Sequence, residues 1–355
     1  MVADFWKDKR VLLTGHTGFK GSWLSLWLRL MGSRVMGLAL PPPTNPSLFE
    51  LTSAADGIES VIGDIRHLPT VQAAVTAFEP EIVLHLAAQS VVRASYANPV
   101  DTYATNVMGT VHVLEAVRHV RGVKAIVVVT SDKCYDNKEW AWGYRETDSL
   151  GGFDPYSNSK GCTELVAAAY RDSFFSPGAH SHHGVAIATA RAGNVIGGGD
   201  WTEDQLIPDV MRAIAEDQSV LLRSPHAVRP WQFVLEPLDG YLTLAERLYR
   251  DGPQRMIGWN FGPGDDHAQT VQWLVQRLCE RWGPEARWNA DTKTHPHEAG
   301  YLKLDSSMAR THLGWRSKLD LETALTWTAE WYRSYRDKRD MRSITVEQIK
   351  RFMAS

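Results

Sequence analysis

Short runs of β-branched and apolar residues recur along the first half of the chain, each much too short to cross a membrane and too uniformly apolar for a one-sided strand. They are residues 10–15 (RVLLTG), 34–40 (RVMGLAL), 60–64 (SVIGD), 81–87 (EIVLHLA), 124–131 (KAIVVVTS) and 184–191 (GVAIATAR). Strands of this composition are buried on both faces, as in a parallel sheet covered by helices. Helical patterns separate them, at 22–31 with Gly32 as a stop, at 70–78 after Pro69, and at 100–119. Strand, helix, strand in repetition predicts an α/β fold built on a doubly wound parallel sheet with right-handed crossovers.

Beyond about residue 190 the pattern loosens. Helices are expected at 206–216, 237–249, 271–281 and 321–335, with Gly, Pro and Trp frequent between them. We therefore expect a dinucleotide-binding domain over 1–190 and a smaller C-terminal α/β substrate-binding domain over 191–355. A segment near 255–265, carrying WNFG at 259–262, could return to the main sheet.

Composition narrows the functional classes. A net charge of -3 gives no support for a nucleic-acid binder. No apolar run approaches the roughly 20 residues of a membrane span. The N-terminal MVADFWKDKR carries charges where a signal peptide needs an apolar stretch. Three cysteines are an odd count and read as free thiols in a reducing cytoplasm. The expectation is a cytoplasmic protein with neither nucleic acid nor membrane as a partner. His180, His182 and His183 sit in a polar loop and are read as solvated, so no metal site is expected.

TGHTGFKGSW follows the first strand and opens a helix. Glycines at 15, 18 and 21 would allow a tight turn, close approach of a pyrophosphate and close helix packing. The helix N-terminus adds amide donors and a positive dipole end. The alternative is a glycine turn that binds nothing. The acidic residue that usually reads the ribose after the second strand is missing, since RVMGLAL runs into three prolines. Lys20 could approach phosphate or ribose oxygens, or be a solvated lysine. Asp64 could accept from the adenine amine, or cap the turn that follows it.

Tyr156 and Lys160, in YSNSK, share a face if the segment is helical. A nearby ammonium favours the tyrosinate, and a tyrosinate can take a hydroxyl proton while hydride leaves the same carbon. A surface pair is the bland alternative. Ser131, Asp132 and Lys133 end the fifth apolar run, beyond which active sites of open parallel sheets lie. Ser131 could hydrogen-bond a substrate hydroxyl beside Tyr156. An acid and an amine base side by side suit elimination of water. Their alternative is a structural salt bridge.

At these residues the chain resembles the extended short-chain dehydrogenase/reductase family, and within it the nucleotide-sugar 4,6-dehydratases, most nearly the branch acting on CDP-glucose. The pieces are GHTGFKGSWLSLWL, PSLFE, GDIR, HLAAQS, YATNVMGT, TSDKCYDNKEW, GYRE, DPYSNSKGC, RAGNVIGGGDW, RPWQFVLEPLDGYL, WNFGP and HPHEAGYLKLD. Lys133 stands where the dTDP-glucose and GDP-mannose branches carry Glu, a departure that leaves the identity of the C5 base open. The resemblance implies a Rossmann fold and bound NAD, held by Gly15, Thr17, Gly18, Phe19, Lys20, Gly21, Asp64, Ile65, Leu86, Ala87 and Ala88 with Tyr156 and Lys160. It implies catalysis by Ser131, Asp132, Lys133, Tyr156 and Lys160. The implied reaction is C4 oxidation, loss of water across C5 and C6, and return of hydride to C6, with CDP-glucose as substrate, in deoxysugar biosynthesis of the O-antigen type. It also implies substrate contacts from Gln89, Asn106, Asn194, Arg229 and Asn260. Arg229 is a candidate for the diphosphate, where a guanidinium forms bidentate contacts, or a surface arginine against Trp231. Asn106 could equally tie a helix to the sheet. Apolar stretches around 107–117 and 165–170 would pair subunits in a homodimer or higher homo-oligomer, or be ordinary core. The rival readings are a nucleotide-sugar 4-epimerase, which has no use for Asp132 with Lys133, and a non-catalytic dinucleotide sensor.

Overall fold

The computed structural model describes residues 3–216, 218–254, 256, 258–283, 287–291 and 300–355. The first six expected runs form strands β1 (Arg10–Thr14), β2 (Arg34–Ala39), β3 (Glu59–Ile62), β4 (Ile82–His85), β5 (Ala125–Val129) and β6 (Ala186–Ala192). Shorter strands follow: β7 (Val195–Ile196), β8 (Val220–Leu222), β9 (Val228–Pro230) and β10 (Gln232–Phe233). The series ends with β11 (Gly258–Phe261), β12 (Ala268–Thr270) and β13 (Trp288–Ala290). The main sheet runs β11-β6-β5-β4-β1-β2-β3, and every neighbouring pair in it is parallel. WNFG does return to this sheet, as β11 alongside β6.

Alternation along each strand feeds two separate cores. Val11, Leu13, Ile82, Leu84, Ala125 and Val127 face one side, with helices Phe19–Leu30, Leu235–Asp251, Leu321–Arg336 and Met341–Ala354. Leu12, Val83, Ile126 and Val128 face the other, with helices Leu68–Phe78, Gly109–Arg118 and Pro155–Ser173. Helix Leu235–Asp251 covers the same sheet that β11 extends, so both pack with the first half of the chain. The remaining small strands pair as β7 with β10, β8 with β13 and β9 with β12.

Some boundaries differ from the expectation. The single helix expected over 100–119 is helix Pro99–Tyr103, a π-turn at Ala104–Met108 and helix Gly109–Arg118. Helix Met341–Ala354 was not anticipated. Asp340 caps it, its side chain accepting the Arg342 amide, and Phe352 packs edge-on against Trp27 with ring centroids 5.6 Å apart. Tertiary contact rather than sequence periodicity secures this helix.

Two buried histidines make the fold acid-sensitive. His85, at the end of β4, hydrogen-bonds Thr14 Oγ1 through Nδ1 at 2.7 Å and Thr110 Oγ1 through Nε2 at 3.0 Å. Burial, aided by the positive charge of Lys160, lowers its pKa to about 3. Burial likewise lowers His16 to about 4. Both are therefore neutral in the fold, while the unfolded chain takes up protons below pH of about 6.5. Stability must fall as pH drops from that value toward the folded pKa values, by about 1.4 kcal/mol per pH unit per histidine. We expect the urea midpoint to decline between pH 6.5 and 4.5, and His85→Gln to flatten that decline. An equal slope in the variant would exclude His85 as a source of the acid sensitivity.

Candidate active site

The site gathers at the carboxyl ends of β1, β4, β5 and β6. After β1 the chain turns through Gly15–Gly18 into helix Phe19–Leu30, with Gly18 at the N-cap. Gly15 has φ +79°, and a Cβ on it would stand 2.8 Å from the Ala87 nitrogen. A Cβ on Gly21 would stand 2.0 Å from the Gly15 carbonyl oxygen. Only glycine fits either place. Leu86 and Ala87 donate their amides to Thr14 Oγ1, both at 3.1 Å, which clamps the exit loop of β4 beside the glycine turn. Thr17 donates to the Leu40 carbonyl at 2.8 Å. The cradle fits a dinucleotide pyrophosphate: backbone amides, a helix N-terminus and no side chain in the way. Phe19 opens that helix, Ala88 follows Ala87 on the exit loop of β4, and buried Ile65 lies just after β3. Asp64 caps its own turn, Oδ1 accepting the Arg66 amide at 2.8 Å, and pairs with the Arg66 guanidinium. The capping role foreseen for it is realised.

Tyr156 and Lys160 lie one turn apart near the start of helix Pro155–Ser173, and both are buried. Asp154 caps that helix, accepting the Ser157 amide at 2.9 Å. The Tyr156 amide donates to Ser95 Oγ at 3.1 Å. Lys160 Nζ donates to the Val129 carbonyl at 3.3 Å. Burial pushes the Tyr156 phenol up, hydrogen bonding with Ser131 pulls it down, and the charges of Asp132 and Asp154 push it up. Burial lowers Lys160 to about 8, helped by Lys20 and opposed by Glu164.

Ser131 caps a single 3-10 turn, Asp132–Cys134, by accepting the Lys133 amide. Its hydroxyl donates to Asp132 Oδ1 at 2.9 Å. Asp132 is 3% exposed, and its Oδ2 is buried with no hydrogen-bond partner among the described residues. Burial raises its pKa, against the charges of Lys133 and Arg229 and the hydrogen bond from Ser131. A carboxyl held toward its neutral form can donate a proton. Lys133 is only half-buried on the same turn. Asp132 and Lys133 are thus not a closed structural ion pair.

Lys20 is not the solvated lysine of the bland reading. Burial lowers it to about 8 against the pull of Asp132 and Asp200, so it belongs to this pocket. Arg229 is buried, not at the surface. Its Nη1 donates to the carbonyls of Val228 at 2.9 Å and Gly300 at 3.2 Å. Half-buried Asn194 accepts the Gln232 amide through its backbone carbonyl at 3.1 Å. Residues 295–299, the start of HPHEAGYLKLD, lie outside the described residues.

Three of the expected substrate-contact residues are engaged within the fold. Asn260 is fully buried: its Oδ1 accepts from the Tyr135 hydroxyl at 2.8 Å, and its Nδ2 donates to the carbonyls of Tyr144 and Asp305. Both ends of that amide are engaged within the protein. Asn106 accepts the Gln89 amide and donates to the Gln89 carbonyl and Ser159 Oγ, the tie between elements weighed as its alternative. Gln89 donates to Thr102 Oγ1 and accepts from the Val91 amide, so both ends of its side chain are also engaged. Sequence reasoning missed Glu164, Arg191, Asp200 and Tyr135. The signal for Glu164 was its place four residues after Lys160, on the same helix face.

Lys160 must carry its charge to favour a tyrosinate. Its lowered pKa places the loss of that charge near pH 8, so turnover should fall as pH rises through about 8. Lys160→Arg, always protonated, should carry the basic limb to higher pH at reduced rate. An unmoved limb in that variant would assign it to another group.

The comparisons agree with this geometry. Residues 12–328 match the family model described as GDP-mannose 4,6 dehydratase. The chain is 53% identical over 352 residues to the CDP-glucose 4,6-dehydratase of Salmonella typhimurium, covering 99% of this chain and 98% of the relative. It is 28% identical over 342 residues to a dTDP-glucose 4,6-dehydratase of Xanthomonas campestris, covering 90% of this chain and 92% of the relative. Among solved structures, a dTDP-glucose 4,6-dehydratase from Streptomyces venezuelae with NAD and TYD bound superposes with a TM-score of 0.76 at 24% identity, over 93% of this chain and 98% of that one. A UDP-glucose 4-epimerase from Thermotoga maritima gives 0.76 at 21% identity, over 92% and 99%. At these identities the two structures speak for the fold alone.

Proposed function

The chain belongs to the GDP-mannose 4,6 dehydratase family, and from that premise we propose that it is an NAD-dependent hydro-lyase converting CDP-D-glucose to CDP-4-keto-6-deoxy-D-glucose. The observation that carries the reaction type is Asp132, a buried carboxyl with an unpartnered oxygen, one residue from the Ser131 that serves Tyr156. A 4-epimerase has no leaving hydroxyl to protonate and no use for such an acid. The choice of CDP-glucose rests on the Salmonella relative, similar along the whole chain.

When bound, NAD supplies a hydride acceptor that later returns the hydride. The protein's own groups do the rest. Tyr156, as the tyrosinate that the Lys160 ammonium favours, takes the proton of the C4 hydroxyl, which Ser131 holds by a hydrogen bond. The C4 ketone then acidifies the C5 proton. Lys133 acts at C5, as a base in its neutral form or as a cation beside the developing enolate. Asp132 delivers a proton to the C6 hydroxyl, so that the C6–O bond breaks and water leaves. Hydride to C6 and a proton to C5 close the cycle with no net oxidation. Arg229 is the candidate for the diphosphate, its buried guanidinium held in place by the Val228 and Gly300 carbonyls.

We place the enzyme in the cytoplasm as a homo-oligomer. Among the described residues no helix is long and apolar enough to cross a membrane. Val100, Met108 and Leu165 lie exposed on the helical segments around 100–118 and 155–173, an apolar surface that a second copy would cover.

Incubation with CDP-, dTDP-, UDP- and GDP-hexoses tests the reading. CDP-glucose should give a product that develops ketosugar absorbance in base, without net formation of reduced nicotinamide. Stoichiometric reduced cofactor released with product would sink the lyase assignment, and a C4-inverted sugar retaining its C6 hydroxyl would establish the epimerase instead.

Lys133→Met tests the C5 step. Sugar oxidation should survive in the variant, reduced cofactor should build up in the site, and deuterium uptake from solvent at C5 should fall about 10²–10⁴-fold, as for loss of a general base. Undiminished exchange and dehydration would remove Lys133 from the mechanism.

A further inference from the structure

Asp132 and Lys133 ride on the three-residue turn Asp132–Cys134, whose last carbonyl accepts the Gly151 amide at 2.8 Å. Its own backbone bonds are long, Cys134 N to Ser131 O at 3.2 Å and Tyr135 N to Asp132 O at 3.5 Å. The second is longer than the usual N–H···O range, so the flanks share in fixing the turn. On the entry side stand Ser131 and Thr130, whose hydroxyl donates to Glu164. On the exit side stands Tyr135.

Tyr135 is 1% exposed and held in every direction. Its hydroxyl accepts from Arg191 Nη1 at 2.7 Å and donates to Asn260 Oδ1 at 2.8 Å. Arg191 belongs to β6 and Asn260 to β11, two adjacent strands of the main sheet. The guanidinium of Arg191 also lies 5.0 Å from the centre of the Tyr135 ring. The ring stacks on Tyr144 with centroids 5.1 Å apart at 23°. Tyr144 in turn is paired by backbone to Lys303 and Asp305. The position of the turn is thereby referred to rigid strands.

Tyr156 and Lys160 share the Glu164–Arg191 link but have further supports of their own. They sit on a helix of 19 residues with its own Asp154 cap, and Tyr156 is tied to Ser95. Disturbing Tyr135 therefore moves the acid and the amine of the elimination step more than the groups of the oxidation step.

We infer that Tyr135 is a positioning residue for the elimination half of the reaction, its hydroxyl fixing the Asp132–Lys133 turn to the sheet through Arg191 and Asn260. The inference rests on the dehydratase reading. Displacements of about 1 Å in a reacting group can cost on the order of 100-fold.

The test is stopped-flow turnover of CDP-glucose by the full-length protein and by Tyr135→Phe, which keeps the ring and removes only the hydroxyl. Absorbance of reduced nicotinamide reports each half. Its rise, sugar oxidation, should stay within about twofold of the unmodified protein, while its decay through elimination and hydride return should slow by about 10- to 100-fold. Reduced cofactor should therefore accumulate in the steady state. Arg191→Lys, which leaves a cation beside Glu164 but gives up the reach to the Tyr135 hydroxyl, should split the two rates in the same sense. If both variants keep a native melting profile and show no split, or lose both rates in equal proportion, Tyr135 has no step-specific role. If the unmodified protein itself forms no 4-keto product from CDP-glucose, the dehydratase reading fails first, and this inference with it.

Discussion

The ion pair between Glu164 and Arg191 is the constraint from which the site is built. Glu164 is 2% exposed, and its carboxylate receives Arg191 Nε at 2.9 Å and Nη2 at 2.7 Å, with the hydroxyls of Thr130 and Thr189 completing its shell. Four donors on one buried carboxylate meet the condition for a buried pair to be tolerable, namely that no lone pair is left without a partner. Burial raises the Glu164 pKa, but Arg191 outweighs it and the net shift is downward, so the pair stays ionised. Removing one partner of such a pair typically costs about 3–5 kcal/mol. The pair joins the ends of β5 and β6 to the helix that carries Tyr156 and Lys160, and through Tyr135 it reaches the acid of the elimination step.

Electrostatics within the pocket follow from that burial. Lys20 and Lys160 are both lowered toward neutrality, whereas Asp132 and Asp200 are raised. Every one of these shifts has burial as its largest cause, so low dielectric rather than one dominant neighbour sets the proton affinities. A site that must both accept a proton from a hydroxyl and deliver one to a leaving hydroxyl needs groups whose proton affinities lie closer together than those of free lysine and aspartate. Water exclusion provides this.

The placement of the site obeys the sheet order. β1 and β4 are neighbours, and the crossovers to β2 and to β5 leave in opposite directions from them. The crevice between their exit loops is where a dinucleotide lies in folds of this kind. Gly15 against Ala87, and Thr14 binding the Leu86 and Ala87 amides, are the contacts that bring the two loops together.

Much of this was legible in the chain before any coordinates. Uniformly apolar runs marked β1, β2, β4, β5 and β6 as strands buried on both faces, whereas β3, at the sheet edge, is largely exposed. The glycine spacing after β1 could be read because steric exclusion of Cβ is a local property. Tyr156 and Lys160 could be read because one helical turn fixes their separation. Tertiary structure alone decided what became of the polar residues whose partners are remote in sequence. Asn260, Asn106 and Gln89 looked like substrate contacts, yet their amides are engaged by groups up to 125 residues away. Lys20 and Arg229 looked as though they could be solvated, yet the fold half-buries Lys20 and buries Arg229. Hydrogen-bond satisfaction is settled only when distant segments meet, and no periodicity or spacing encodes which segments those will be.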